Sequence, residues 1–363
     1  MTEGTAMRQE AAGRRVLAYL GERWSGFFLI LLVIVFGLVA KHFFAVKNFS
    51  NILYFATIYL LLAAGETFVI ITGGIDLSPG FVMGLVMVVA AIIMRDMHAA
   101  GIAPAASMVV GSVVGLAVGV LPGLVNGILV ARFRVPPFIA TLGMYGVANG
   151  LTLNLCKGFP IYFLHPEVEK LGNSFVAYFL PGRGFTFFRR PPNMTADDLR
   201  NLVGIVPLTV LVAAIVLVVF AFILIRTRFG RHTFAIGGSM DAAIRAGINV
   251  PLHLVKIYVL SSMFAAVAGV LYVFRAGIGH FTTMSSSYEL FAIAAVVIGG
   301  ASLMGGKGSI GRTVIGVLIL NVLENGLNIT GLPTFYRYIA TGLILIAAVV
   351  IDQLTPERRV RSA

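Results

Sequence analysis

The sequence predicts an all-α polytopic membrane protein of about ten transmembrane helices, and three observations carry that prediction. Of 363 residues, 58% are hydrophobic and 12% charged, about half the charged share of a soluble globular domain. A mean hydropathy of +0.96 cannot come from one buried core, because a soluble surface must be clothed in charge. Apolar runs near the ~20 residues that span a bilayer recur along the chain. Soluble enzymes are thereby excluded. The single cysteine, Cys156, excludes an internal disulfide, a cysteine zinc site and an iron–sulfur cluster, each of which needs several thiols. The net charge of +12 falls between the apolar runs, so it reports topology and not a nucleic-acid partner.

Threading the chain through a bilayer gives ten spans: 25–40, 51–72, 77–94, 105–130, 137–155, 205–225, 253–274, 290–305, 309–328 and 335–351. The first follows Arg8, Arg14, Arg15 and Arg23 and reads as an uncleaved signal anchor; cleavage would leave nine spans. With ten, the N-terminal arginines share one side with Arg132 and Arg134, with Arg226, Arg228 and Arg231, with Lys307 and Arg312, and with Arg358, Arg359 and Arg361. Basic residues collect in short cytoplasmic loops, so both termini are expected in the cytoplasm. The chain then divides into a tail over 1–24, a transmembrane domain over 25–352 and a tail over 353–363. Residues 156–204 form a long external segment carrying Arg183, Arg189 and Arg190; long loops translocate largely regardless of charge. Residues 226–252 form a cytoplasmic loop. Asn126-Gly127, Pro136 and Ala140-Thr141 recur as Asn325-Gly326, Pro333 and Ala340-Thr341. Five crossings separate the copies, the pattern of an inverted repeat in a transporter.

Catalytic chemistry has little to stand on. The six histidines are scattered, no H-E-x-x-H or G-x-S-x-G occurs, and Gly305-Gly306-Lys307-Gly308-Ser309 lacks the distant glycine and the adjacent hydroxyl of a phosphate loop. Glu66 and Glu324 lie inside spans, where a charge costs at least ~2.5 kcal/mol. They read equally as pathway groups or as interhelical hydrogen bonds. Thr72-Gly73-Gly74-Ile75-Asp76-Leu77-Ser78-Pro79-Gly80 breaks a helix, with Asp76 or Ser78 able to cap the next one; a simple surface turn explains it equally well. Asn126, Asn149, Asn154, Asn321, Asn325 and Asn328 add neutral hydrogen-bonding groups suited to a polyol, although buried asparagine more often joins helices. In the 226–252 loop, Ser239 can cap a two-turn helix with Asp241 in its first turn. Arg245 lies four residues on, and Gly247 stops it. Such a helix is shaped to dock into a partner, or it is a solvated connector.

Certain motifs are more specific. They are Gly73-Gly74-Ile75-Asp76-Leu77-Ser78; Gly123 to Gly127 with Val135 to Gly143; Ala235-Ile236-Gly237-Gly238 with Ala242, Ala243 and Gly247-Ile248-Asn249; Ala294 to Gly300; Gly305 to Ser309; and Asn325 to Asn328. On these the chain, over nearly all of residues 45–352, resembles the ribose-type permeases of bacterial ATP-binding cassette (ABC) sugar importers. Pro79 and Phe81 depart from the family's usual Val and Ser, and Ser239-Met240 from a common Asn-Glu. The resemblance implies a type II importer fold and a transport subunit with no catalytic site or cofactor of its own, ATP being bound by a separate cytoplasmic ATPase. It also implies a second permease subunit and a periplasmic sugar-binding protein. Under it, Gly237, Gly238, Asp241, Ala243, Arg245 and Gly247 belong to the helix that couples to the ATPase. Glu66, Asp76, Ser78, Asn126, Glu324 and Asn325 are the candidate substrate pathway, carrying a monosaccharide or related small polyol. The external segment, with Pro181 to Gly184, Pro191-Pro192 and a helix capped by Thr195, is a candidate docking surface. The competing reading is a self-contained ion- or proton-coupled carrier built on Glu66 and Glu324.

Overall fold

The computed structural model describes residues 24–280 and 287–333, and beyond them 335, 336, 339, 342, 343, 346 and 350. The N-terminal arginines, the 353–363 tail and Ala340-Thr341 lie outside the described residues, and the last expected span falls largely outside them. The long helices are α1 (Trp24–Val39), α2 (Val46–Ile71), α3 (Pro79–Ala99), α4 (Pro104–Ala131) and α5 (Pro137–Cys156). After an insertion come α8 (Leu208–Arg226), α9 (Arg228–Gly238), α10 (Met240–Arg245), α11 (Val250–Ala276), α12 (Tyr288–Ile298) and α13 (Ile310–Ile329). Among the described residues, α2, α3, α4, α8, α11 and α13 are long and apolar enough to cross a membrane. α5 has the length, but Asn149, Asn154 and its glycines dilute its apolarity. The expected span over 290–305 is shorter than its apolar sequence. α12 stops at Ile298, where Gly299-Gly300 turns the chain, so its 11 residues rise about 16 Å, half a bilayer core.

The all-α expectation misses a small sheet. The insertion between α5 and α8 holds α6 (Pro166–Gly172), β1 (Ala177–Leu180), β2 (Gly184–Phe187), α7 (Ala196–Asn201) and β3 (Val203–Gly204), with antiparallel order β2-β1-β3. Alternating Tyr178 and Leu180 point inward from β1. Thr195 caps α7 as its sequence predicts, in a reciprocal box with Asp198. The insertion is tied to the bundle: Ser50 Oγ donates to the Gly204 and Ile205 carbonyls, and Ile161 bridges Gly279.

Small residues hold the bundle together. Lipid is as apolar as leucine, so helices in a membrane associate through close packing and hydrogen bonds. Gly111, Gly115, Gly119, Gly123 and Gly127 make one buried stripe along α4. Its first part meets Ala90 and Met94 of α3 and its later part Ala266, Tyr258 and Val255 of α11. A Cβ on Gly123 would lie 2.5 Å from the Tyr258 carbonyl oxygen, so α4 and α11 meet backbone to backbone. α2 is the central helix, its last three turns from Leu61 to Ile71 continuously buried.

Two interruptions meet at the α9–α10 end of the bundle. After α2 the chain turns at Gly73, φ 82°, and re-enters as an extended segment to Ser78. After α12, Gly305 and Gly306 take φ of 84° and 72°. The Gly306 N–H donates to the Ile71 carbonyl at 2.9 Å, and Gly237 at the end of α9 packs onto both. Three loops thus converge where only glycines fit.

Candidate functional site

The returning segment carries Asp76 and Ser78 into the centre of the bundle, where a polar knot forms. Glu66, Asp76, Ser78, Asn126 and Thr141 are at most 1% exposed. The Asp76 N–H donates to Glu66 Oε1 at 3.1 Å. Asp76 Oδ1 accepts from the Ser78 N–H at 2.9 Å and from Ser78 Oγ at 2.6 Å, while Oδ2 accepts from Ser261 Oγ at 3.0 Å. Asn126 Nδ2 donates to Ser78 Oγ at 3.0 Å, and the Leu77 N–H donates to Thr141 Oγ1 at 3.1 Å. The freed backbone of the broken stretch is satisfied by Glu66 of α2, Thr141 of α5 and Asp76 itself, while α4 and α11 hold the Ser78 and Asp76 side chains, the condition under which non-helical backbone is tolerated at membrane depth.

This corrects two expectations for the stretch. It is no surface turn, because Asp76 and Ser78 are fully buried. Neither residue caps the next helix through its side chain: α3 starts at Pro79 without a side-chain cap, because the Asp76 carboxylate is spent on Ser78 and Ser261. Four of the six candidate pathway residues therefore meet in one closed network. Glu66 Oε2 and Asn126 Oδ1 are buried in it without a partner among the described residues.

Glu324 and Asn325 lie elsewhere, with Asn321 and Asn328 on one face of α13. They line a cavity of about 240 Å³ against Tyr54 and Tyr59 of α2, Tyr272 of α11 and Tyr288 of α12. Asn325 Nδ2 donates to Asn48 Oδ1 at 3.0 Å. The pathway candidates thus divide between a sealed knot and an open cavity.

The docking loop folds much as its sequence predicts. Ser239 Oγ accepts from the Ala242 N–H at 3.3 Å, α10 ends at Arg245, and Gly247 takes φ 77°, a conformation that suits glycine. Asp241 and Arg245 share a face, but no ion pair joins them among the described residues. The six coupling candidates take different places. Gly237 is wedged against Ile71 and Gly306, and Ala243 is buried with Ile236, Val250 and Leu254. Gly238, Asp241, Arg245 and Gly247 face outward.

Several residues escape the sequence reading. Met240 and Ile244, 45% and 55% exposed, make an apolar pair four apart on α10; two apolar side chains within a basic loop are the signal. Ser261 and Tyr258 leave no local signal, since only the fold brings them to the knot; Thr141 stands out in the Val135 to Gly143 motif, but only the fold shows it as the partner of the Leu77 N–H. The tyrosines of the cavity come from three separate helices.

Sequence comparisons place the chain among known proteins. The ribose import permease protein of Bacillus subtilis (strain 168) is 38% identical over 325 residues, covering 90% of each chain. That of Escherichia coli (strain K12) is 35% identical over 351 residues, covering 95% of this chain and 98% of the relative. The galactose/methyl galactoside import permease protein of E. coli (strain K12) is 34% identical over 354 residues, covering 94% and 97%. No solved structure matches. The protein is a multi-pass membrane protein and a transport component, not an enzyme. Over residues 48–349 the chain matches, and belongs to, the family described as the permease component of the branched-chain amino acid transport system.

Proposed function

We propose that the chain is the permease subunit of a bacterial inner-membrane ABC importer and translocates a monosaccharide or related small polyol. The observation that carries this reading is the α10 platform. Met240 and Ile244 expose apolar surface beside Asp241 and Arg245, and the preceding Gly237 rests on the loop that begins the Asp76 segment. A cytoplasmic ATPase seated on α10 would press on Gly237, and through the Ile71 carbonyl on the polar knot. The chain holds no cofactor; ATP is bound by that partner ATPase.

In this reading both termini are cytoplasmic, ten crossings run between them, and the two halves form an inverted repeat. The tail over 1–24, the permease domain over 25–352 and the tail over 353–363 keep the limits given above. Residues 156–204, with their sheet, face the periplasm and receive the sugar-binding protein; residues 226–252 face the ATPase. A second permease subunit completes the translocation path. The substrate class follows the relatives, which are import permeases for ribose and galactose. The family description names branched-chain amino acids instead, so the substrate panel must include one.

The test is reconstitution with the cognate ATPase and binding protein. Gly247→Pro and Asp241→Arg should leave membrane insertion intact while ATP hydrolysis no longer drives uptake. Normal uptake in both variants would refute α10 as the coupling element.

A further inference from the structure

The cavity between α2, α11, α12 and α13 has a composition that selects among solutes. Asn321, Glu324, Asn325 and Asn328 follow one another at helical spacing along one face of α13. Opposite them stand tyrosines, with Tyr59 and Tyr288 ring centroids 5.1 Å apart. Carboxamides both donate and accept, and tyrosine offers a ring face and a hydroxyl. That combination matches a molecule with hydroxyls on its rim and C–H groups on its faces. The volume of about 240 Å³ lies just under the range for drug-sized ligands and suits a small solute.

Two further observations bear on the ligand. Asn325 is a fixed part of the cavity wall, its Nδ2 donating to Asn48 Oδ1 at 3.0 Å, so the wall is preorganised for a small solute. No Lys or Arg is among the described lining residues, so the carboxylate of an amino acid would find no cation there. Tyr54 also borders a smaller recess at the sheet-bearing end, formed with Ser50, Asn173 and Arg275. The Arg275 guanidinium stacks over the Tyr54 ring at 4.1 Å.

We infer that this cavity is a binding subsite for a neutral polyhydroxylated solute, entered from the sheet-bearing end past Tyr54. It deepens the importer reading by placing one stage of the solute's passage on this chain's α13 face and by excluding zwitterions. The single native cysteine makes a direct test available. In the full-length chain in nanodiscs, Cys156→Ser with Asn328→Cys places one thiol at the cavity for N-ethylmaleimide. D-ribose or D-galactose at about three times its Kd should slow labelling about fourfold. L-isoleucine should not slow it. Adding Asn325→Leu should raise the sugar concentration needed by about tenfold, with an unchanged thermal melt confirming the fold. If that variant fails to fold, Tyr288→Phe, which keeps the ring, should weaken protection in its place.

Absence of protection by either sugar, protection by isoleucine, or undiminished protection in the folded variant overturns the subsite. ATP-driven sugar uptake by the reconstituted importer separates the two claims. Uptake without protection rejects the subsite and leaves the importer reading intact; protection without ATP-driven uptake does the reverse.

Discussion

Adjacent glycines at the end of α9 make opposite predictions for the same substitution. A methyl group on Gly237 would collide with the Ile71 carbonyl oxygen and approach the Gly306 nitrogen to 2.5 Å. Both neighbours are backbone, and each is held by the other through the 2.9 Å Gly306–Ile71 hydrogen bond. Gly237→Ala must therefore push the three loops apart. Overpacking of this kind costs about 1–3 kcal/mol, and losing the hydrogen bond adds about 0.5–1.5 kcal/mol, for a total of about 1.5–4.5 kcal/mol. A Cβ on Gly238 meets nothing within 4 Å, so Gly238→Ala should stay within about 0.5 kcal/mol of the parent. The assay is a denaturant melt of each purified chain in nanodiscs, paired with uptake by the reconstituted importer. Gly237→Ala should lower the midpoint and reduce uptake, and Gly238→Ala should do neither. Equal midpoints for the two variants would refute the wedge and with it the mechanical link from α10 to the Asp76 segment.

Other consequences are as specific. Ser261→Ala leaves Asp76 Oδ2 without its 3.0 Å donor and should cost about 1–3 kcal/mol in the same melt, whereas Ser261→Thr keeps the hydroxyl and should recover part of it. Gly123→Val drives a side chain into the α11 backbone at Tyr258 and should abolish recovery of folded protein from membranes, read by size-exclusion chromatography in detergent. Backbone and side-chain bonds from Thr195 hold the Asp198 carboxyl below its ordinary range. Its contribution to the α7 cap is therefore complete above the ordinary carboxylate range and is lost as pH falls through the lowered value. Protection of the α7 amides, corrected for the intrinsic pH dependence of exchange, should fall on acidification in the parent, and that acid dependence should be flattened in Asp198→Asn.

How much of this is legible in the sequence depends on whether the signal is local. The α10 helix reads correctly because Ser239 and Gly247 are local start and stop signs. The Thr195 cap reads for the same reason. The α12 span reads too long because hydropathy is blind to the left-handed turn at Gly300, φ 88°, which ends the helix early. Asp76 and Ser78 are visible as a helix break, yet nothing near them in sequence says surface or centre. That is decided by Ser261, 185 residues away, and by Asn126. The α4 glycine stripe is plain at four-residue spacing, but its partners on α3 and α11 are set by tertiary packing alone. The sheet in the insertion is masked by short, irregular strands among glycines and prolines.

The most direct test of the central claim is uptake of radiolabelled ribose and galactose into proteoliposomes holding this chain, its cassette ATPase and the binding protein. The importer account predicts uptake of a sugar that requires internal-facing ATP, is indifferent to an imposed proton or ion gradient, and vanishes without the ATPase. Uptake by this chain alone, driven by such a gradient, would contradict it.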